Sequence, residues 1–265
     1  MTLKLAVQEH MVPGDGLVAK WEFASAAGFD GIELLGRGRS FRERLPELRA
    51  ARAAGVVLPS VCVAMDHFLG DFDADRRRDA VQGMEALLEV IVEAGGYGAI
   101  TPAAYGLFSR ALPPFTPPRS PTEDREVLVE GLGELGEHAR RVGAVLLLEP
   151  LNRYEDHMVN TLDQAVELCQ VVGLDSVRVM GDFFHMSIEE VDLAESIRRA
   201  APYLAHMQLG DSNRLQPGRG HLDFGPSLKA LEEVGFQGFL AMECGVEGDP
   251  ASALPAVVRY LREAS

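Results

Sequence analysis

The stretch AVLLLEPLNRYEDHMVNTLDQAVEL, residues 144–168, carries the organisation of the whole chain in miniature. It opens with a short apolar run, 145–148, that reads as a buried parallel strand. The run ends abruptly in charge, with Glu149 followed by Pro150, Asn152, Arg153 and Glu155. Asn160 and Thr161 then start an amphipathic helix, with Leu162, Ala165, Val166, Leu168 and Cys169 at helical spacing. A carboxylate at the carboxyl end of a buried strand lies where α/β folds place chemistry. Taken alone, Glu149 reads as a strand cap. The pattern recurs, however. VRVMGDFFHM (177–186) runs into Asp182 and His185, LAHMQLGDSNR (204–214) into Gln208, Asp211 and Arg214, and GFLAMEC (238–244) into Glu243.

Outward from this block the same rhythm continues. Upstream apolar runs at 3–7, 28–35, 56–65 and 97–101 read as four further strands. Helices are expected over 17–27, stopped by Gly28, and over 41–54, 74–94 and 122–141. Two more close the chain at 226–234 and 251–263. The Pro-rich segment ALPPFTPPRSP (111–121) resembles a linker in composition. Its stiffness suits an active-site loop better, since no change of class follows it. Eight strand-like runs alternating with helices predict an α/β fold, a single (β/α)8 TIM barrel occupying 1–265 as one domain. A doubly wound open sheet is the competitor. Polar groups ending strands five to eight favour the barrel, where all strand ends converge on one mouth.

Composition narrows the function. The chain has 265 residues, 47% hydrophobic and 25% charged, with a formal net charge of -15. The pI is near 4.9. Such an acidic chain lacks the basic footprint needed to bind nucleic acid. No apolar run approaches the ~18–20 residues of a membrane span, so no membrane association is expected. The N-terminal MTLKLAVQEH contains no secretory pattern. Cys62, Cys169 and Cys244 are too widely spaced for a disulfide framework or a zinc-thiolate site. Reduced thiols and a cytoplasmic location are expected.

A formal GxGxxG match at Gly131, Gly133 and Gly136 lies inside a helical run that precedes a strand. A nucleotide fingerprint needs its glycines in the turn between strand and helix, so helix packing is the expected role. Glu149, Asp182, Gln208 and Glu243 form a different kind of set, one per βα unit on consecutive strands. Neighbouring strands lie ~4.8 Å apart, so equivalent positions can surround one cation. Three carboxylates and an amide oxygen are hard donors suited to Mn²⁺ or Mg²⁺, with Co²⁺ or Zn²⁺ as alternatives. A divalent ion also removes the repulsion among three clustered carboxylates. His206, two residues before Gln208, faces the same side of its strand one layer deeper. His67 and His10 end earlier strands within reach of a substrate, although each alone reads equally as a solvated loop residue.

The blocks EPLNRYEDHMVNT, DFFHMSIEEVD (182–192) and HMQLGDSNRLQPGRGHLDF (206–224) resemble the ketose 3-epimerases of the xylose-isomerase-like barrel superfamily. The resemblance covers residues 144–244 well; the first 140 residues match only in βα rhythm. It implies a divalent-metal-dependent isomerase or epimerase that abstracts a proton next to the carbonyl of a ketose or ketose phosphate through an enediolate. By it, Glu149, Asp182, Gln208 and Glu243 hold the metal, and Glu149 and Glu243 double as the acid–base pair. Glu155, His185 and Arg214 hold the substrate's oxygens, and His67 joins them as a candidate. Where the 3-epimerases use a histidine ligand this chain has Gln208, as in the hydroxypyruvate isomerases. The expected reaction is 3-epimerisation, with isomerisation of hydroxypyruvate or another small keto sugar as the alternative. An endonuclease IV-like nuclease and a non-catalytic sugar-binding barrel are further alternatives. A small-molecule ketose is the expected partner, with assembly as a homodimer or homotetramer.

Overall fold

The computed structural model describes residues 3–106 and 117–264. Eight parallel strands form a closed barrel in chain order: β1 (Lys4–Gln8), β2 (Gly31–Gly36), β3 (Ser60–Val63), β4 (Gly98–Pro102), β5 (Val145–Glu149), β6 (Val177–Asp182), β7 (Leu204–Leu209) and β8 (Phe239–Met242). The ring closes where β8 pairs with β1, from Lys4 opposite Phe239 to Val7 opposite Met242. The barrel expectation is met.

The alternation of each strand decides what the barrel contains. Along β5, Leu146 and Leu148 pack outward into the core beneath the helices, while Val145 and Leu147 face the interior. Cys62, Ile100, Leu147 and Met180 form a small apolar plug there. Above the plug the inward positions turn polar, and Gln8, Glu33, Glu149, Asp182 and Gln208 are all buried. This is the filled, layered interior of a (β/α)8 barrel, whose polar top layer opens at the carboxyl ends of the strands.

The helices begin and end where side chains satisfy their free backbone groups. The helix after β5, α5 (Leu162–Val172), starts at Thr161, whose hydroxyl accepts from Gln164 N while Gln164 Oε1 accepts from Thr161 N. It is the fifth helix in chain order, after α1 (Gly16–Ala27), α2 (Leu45–Ala53), α3 (Ala74–Glu93) and α4 (Pro121–Val142). Gly28 closes α1 in the left-handed region, at φ 99°. A 3-10 turn over Gly38–Arg44 replaces the start of the expected second helix. In the stretch 177–186 the strand ends at Asp182, as expected, and a helix not read from the sequence follows. Asp182 caps this short helix, α6 (Phe183–Glu189). Then follow α7 (Leu193–Ala200), α8 (Gly225–Glu233) and α9 (Pro250–Ala264). Most of the Pro-rich segment expected to act as an active-site loop, 111–116, lies outside the described residues; Ser120 caps α4. Among the described residues no helix is long and apolar enough to cross a membrane.

Candidate active site

A cavity of about 260 Å³ opens at the carboxyl ends of the strands, lined among others by Glu149, Glu155, His185, Arg214 and Glu243. Ligating atoms of Glu149, Asp182 and His185 lie within 4.8 Å of one another. Glu149 comes from the last position of β5 and Glu243 from just beyond β8, held where its backbone N–H donates to Leu209 O at 3.1 Å. Asp182 and Gln208 are register partners on β6 and β7. Asp182 Oδ1 accepts from the backbone of Phe184 and His185 at 2.6 and 3.1 Å, so the cap of α6 also delivers His185 to the cavity.

Three acidic groups this close oppose one another's ionisation. Burial, followed by Glu243 and Asp182, holds the Glu149 carboxyl well above the usual range. Desolvation and then Asp182 push Glu243 up to about 7. Burial raises Asp182 to about 6, against the pull of Arg214 and two backbone N–H groups. Arg214 donates to Glu155 Oε1 at 2.9 Å and stacks 4.8 Å from the Phe184 ring centroid. It is the one non-glycine residue in the left-handed backbone region among the described residues, at φ 58°. Strain of this kind persists only where surrounding contacts enforce it.

The cluster fits a divalent cation. Glu149 Oε1 and Gln208 Oε1 are both buried and accept no hydrogen bond, and a cation would satisfy both while neutralising the acidic group. His185 has a different character. Its Nδ1 accepts from the Asn152 backbone N–H at 3.1 Å, with the Asn152 side-chain amide 2.7 Å away. Burial and then Arg214 lower its pKa to about 4. The neutral ring therefore carries its proton on Nε2, which is buried and unpartnered. That nitrogen offers a donor, not a lone pair.

Other expected residues fall elsewhere. His67 pairs with Asp79 at 2.9 Å and lines a separate cavity with Arg37, Arg39 and Ser40. His10 is exposed and is not among the residues lining the cavity. His206 stands below Gln208, its Nε2 2.9 Å from Glu33 Oε2 and its Nδ1 2.7 Å from the Tyr97 hydroxyl. The sequence reading did not single out Gln8, Glu33, Ser60 and Cys62. Gln8 Nε2 donates to Glu33 Oε1 at 3.1 Å and to Glu243 Oε1 at 3.0 Å, and Cys62 Sγ lies 3.6 Å from that same Glu243 oxygen. Burial works against ionisation of Glu33, yet His206, Ser60 and Gln208 together hold it below the usual carboxylate range. Its place between Ile32 and Leu34 on β2 is the signal available in sequence, since alternation turns it inward.

The sequence pattern of the xylose isomerase-like TIM barrel family matches residues 21–264. A 3-dehydro-D-guloside 4-epimerase of Escherichia coli (strain K12) is 36% identical over 262 residues, spanning 98% of this chain and 99% of that one. A D-psicose 3-epimerase of Enterocloster bolteae is 33% identical over 232 residues, 83% of this chain and 73% of that one. Among solved structures, a 3-keto-D-glucoside 4-epimerase from E. coli superposes with TM-score 0.92 at 35% identity, covering 99% and 100% of the two chains. A D-psicose 3-epimerase from Clostridium cellulolyticum H10 shares the fold, at TM-score 0.80 and 24% identity.

Proposed function

Because the chain belongs to the xylose isomerase-like TIM barrel family, and to its ketose epimerase and isomerase group, we propose that it inverts a carbon next to the carbonyl of a keto sugar. It is a divalent-metal-dependent enzyme of the isomerase class. The observation that carries the reading is the pairing of Glu149 with Glu243 across one cavity. They stand at the ends of β5 and β8, with β6 and β7 between them in the ring. Inversion needs one group to take a proton and a second to return one from another side. Both glutamates have carboxyls raised above the usual range by burial, Glu243 to about 7, so both are placed to hold a proton where an ordinary carboxylate would have lost it.

Glu149, Asp182, Gln208 and Glu243 would hold the cation. Gln208 is assigned in preference to His185 because its carbonyl oxygen is unpartnered, whereas the free nitrogen of His185 bears hydrogen. An all-oxygen donor set of this kind suits Mn²⁺ or Mg²⁺ ahead of Co²⁺ or Zn²⁺. When bound, the cation supplies a positive charge that favours the negative charge developing on the substrate's carbonyl oxygen. His185 donates from Nε2 to a substrate oxygen. Arg214, oriented by Glu155, fixes a neighbouring hydroxyl. His67 is left outside this set. The reading includes a single domain, a cytoplasmic location and a homo-oligomeric assembly.

Full-length likeness to a 4-epimerase favours a 3-keto glycoside as substrate, inverted at the next carbon. Inversion at C3 of a free ketose is the second reading, supported by shorter matches. The two differ in where the carbonyl lies and share the same proton transfers. Turnover in D₂O with added Mn²⁺, followed by NMR on a 3-keto-D-glucoside, D-fructose, D-tagatose and D-psicose, separates them. Deuterium entering C4 of the keto glycoside together with inversion is expected. Exchange into none of the four would overturn the assignment.

A further inference from the structure

Of the four proposed cation ligands, only Gln208 has two ends of similar shape and opposite polarity. A carboxylate presents oxygen whichever way it rotates. An amide turned by half a revolution presents NH₂, which repels a cation. Something must fix that choice, and Glu33 is placed to do it. Its carboxylate is fully buried in the barrel. Gln208 Nε2 donates to Glu33 Oε1 at 2.8 Å, so the reversed amide would bring two oxygens together there. Its carbonyl oxygen is thereby directed away from Glu33, and it is buried without a partner.

Glu33 is in turn tightly placed. Ser60 Oγ donates to its Oε2 at 2.7 Å, and His206 Nε2 stands 2.9 Å from the same oxygen, backed by the Tyr97 hydroxyl. Gln8 presents the same problem with the same answer. Its single NH₂ donates both to Glu33 Oε1 and to Glu243 Oε1, so one amide nitrogen ties the buried carboxylate to a proposed catalytic one. Side chains from three other strands, β1, β3 and β7, therefore converge on Glu33 of β2 beneath the site. It is not among the residues lining the cavity at the strand ends.

We infer that Glu33 is a positioning residue, which sets the amide of Gln208 with its carbonyl oxygen toward the cation site and steadies Glu243 through Gln8. The inference rests on the reading of Gln208 as a cation ligand. Partners of this kind behind a metal ligand are worth ~10–100-fold in metal affinity.

Mn²⁺ titration of the full-length protein, with no substrate present, tests it. Glu33→Gln replaces a pure acceptor by an amide that accepts either orientation of Gln208. It should weaken Mn²⁺ binding by ~10–100-fold. In a Gln208→Ala background the same change should cost clearly less, because the amide it orients is gone and only the tie through Gln8 to Glu243 remains. A merely structural role predicts instead a loss that adds in full in both backgrounds. Full additivity, or unchanged affinity in folded Glu33→Gln, overturns the inference. Should Glu33→Gln melt below the assay temperature, Ser60→Ala makes the same comparison. A loss that shrinks beside Gln208→Ala supports the inference, and an unchanged affinity or full additivity overturns it. Gln208→Ala and Glu149→Gln serve as controls. If neither alters Mn²⁺ binding, the metal-centre reading falls and takes the inference with it. If both do and Glu33→Gln does not, only the role of Glu33 falls.

Discussion

At the scale of single residues, the two glutamates divide one task. Glu149 is raised well above the usual range, chiefly by burial, while Glu243 sits at about 7 with one oxygen already engaged by Gln8. Glu243→Gln removes a proton carrier and keeps the size of the side chain. Net epimerisation should fall ~10²–10⁴-fold, the usual loss for a general acid–base. Glu149 can still exchange its own proton, so deuterium should continue to enter the uninverted sugar. NMR-detected uptake, with metal content checked in parallel, reads both quantities. A metal-loaded variant that inverts at the parent rate would remove the two-glutamate mechanism. His185 shows where residue-level reading from sequence stops. Its type and position were visible, but its tautomer depends on the Asn152 N–H, a contact between the loop after β5 and helix α6.

At the scale of elements, the glycines of α4 separate a motif from its look-alike. A methyl group at Gly136 would meet Val177 Cγ2 at 2.5 Å and Leu174 Cδ1 at 2.8 Å, whereas at Gly133 it would meet nothing within 4 Å. Helix packing thus explains Gly136 and leaves Gly133 without a packing reason. Gly136→Ala should destabilise by ~1–3 kcal/mol through overpacking. Gly133→Ala should stabilise by up to ~1 kcal/mol, since alanine suits a helix interior better. Thermal melts of the two variants should move in opposite directions; equal shifts would contradict the packing account. The same scale explains what the sequence concealed. Strand alternation and the helix start at Thr161 were legible because they depend on near neighbours. The short helix α6 was hidden because FFHM continues an apolar run, and only the side chain of Asp182 turning back to cap it ends the strand.

At the scale of the whole molecule, the acidic top layer couples stability to pH. In the unfolded chain these carboxyls titrate near 4. In the folded, metal-free protein Asp182 is raised to about 6 and Glu243 to about 7. Between those limits the folded form binds more protons than the unfolded one, so stability falls as pH rises from about 4 to 7. The metal-free melting temperature should drop across that window. Saturating Mn²⁺ should reverse the trend, because the cation selects the ionised form and releases protons on binding. Calorimetric scans with and without chelator check this, and a metal-free melting point that rises toward pH 7 would contradict it. The βα count made the ring itself legible from sequence. The network around Glu33 was not, because it joins residues from opposite ends of the chain.

That joining has a consequence for how the protein comes into being. The seam of the ring sets β1 against β8, and Gln8 bridges it to reach Glu243. A chain emerging from the ribosome therefore has Glu149, Asp182 and Gln208 in hand before its seam can form. Contacts so distant in sequence are slow to close. Until the last strand docks, the nascent chain holds an acidic, half-built crater, and a cation arriving early would favour the closure that completes its own site.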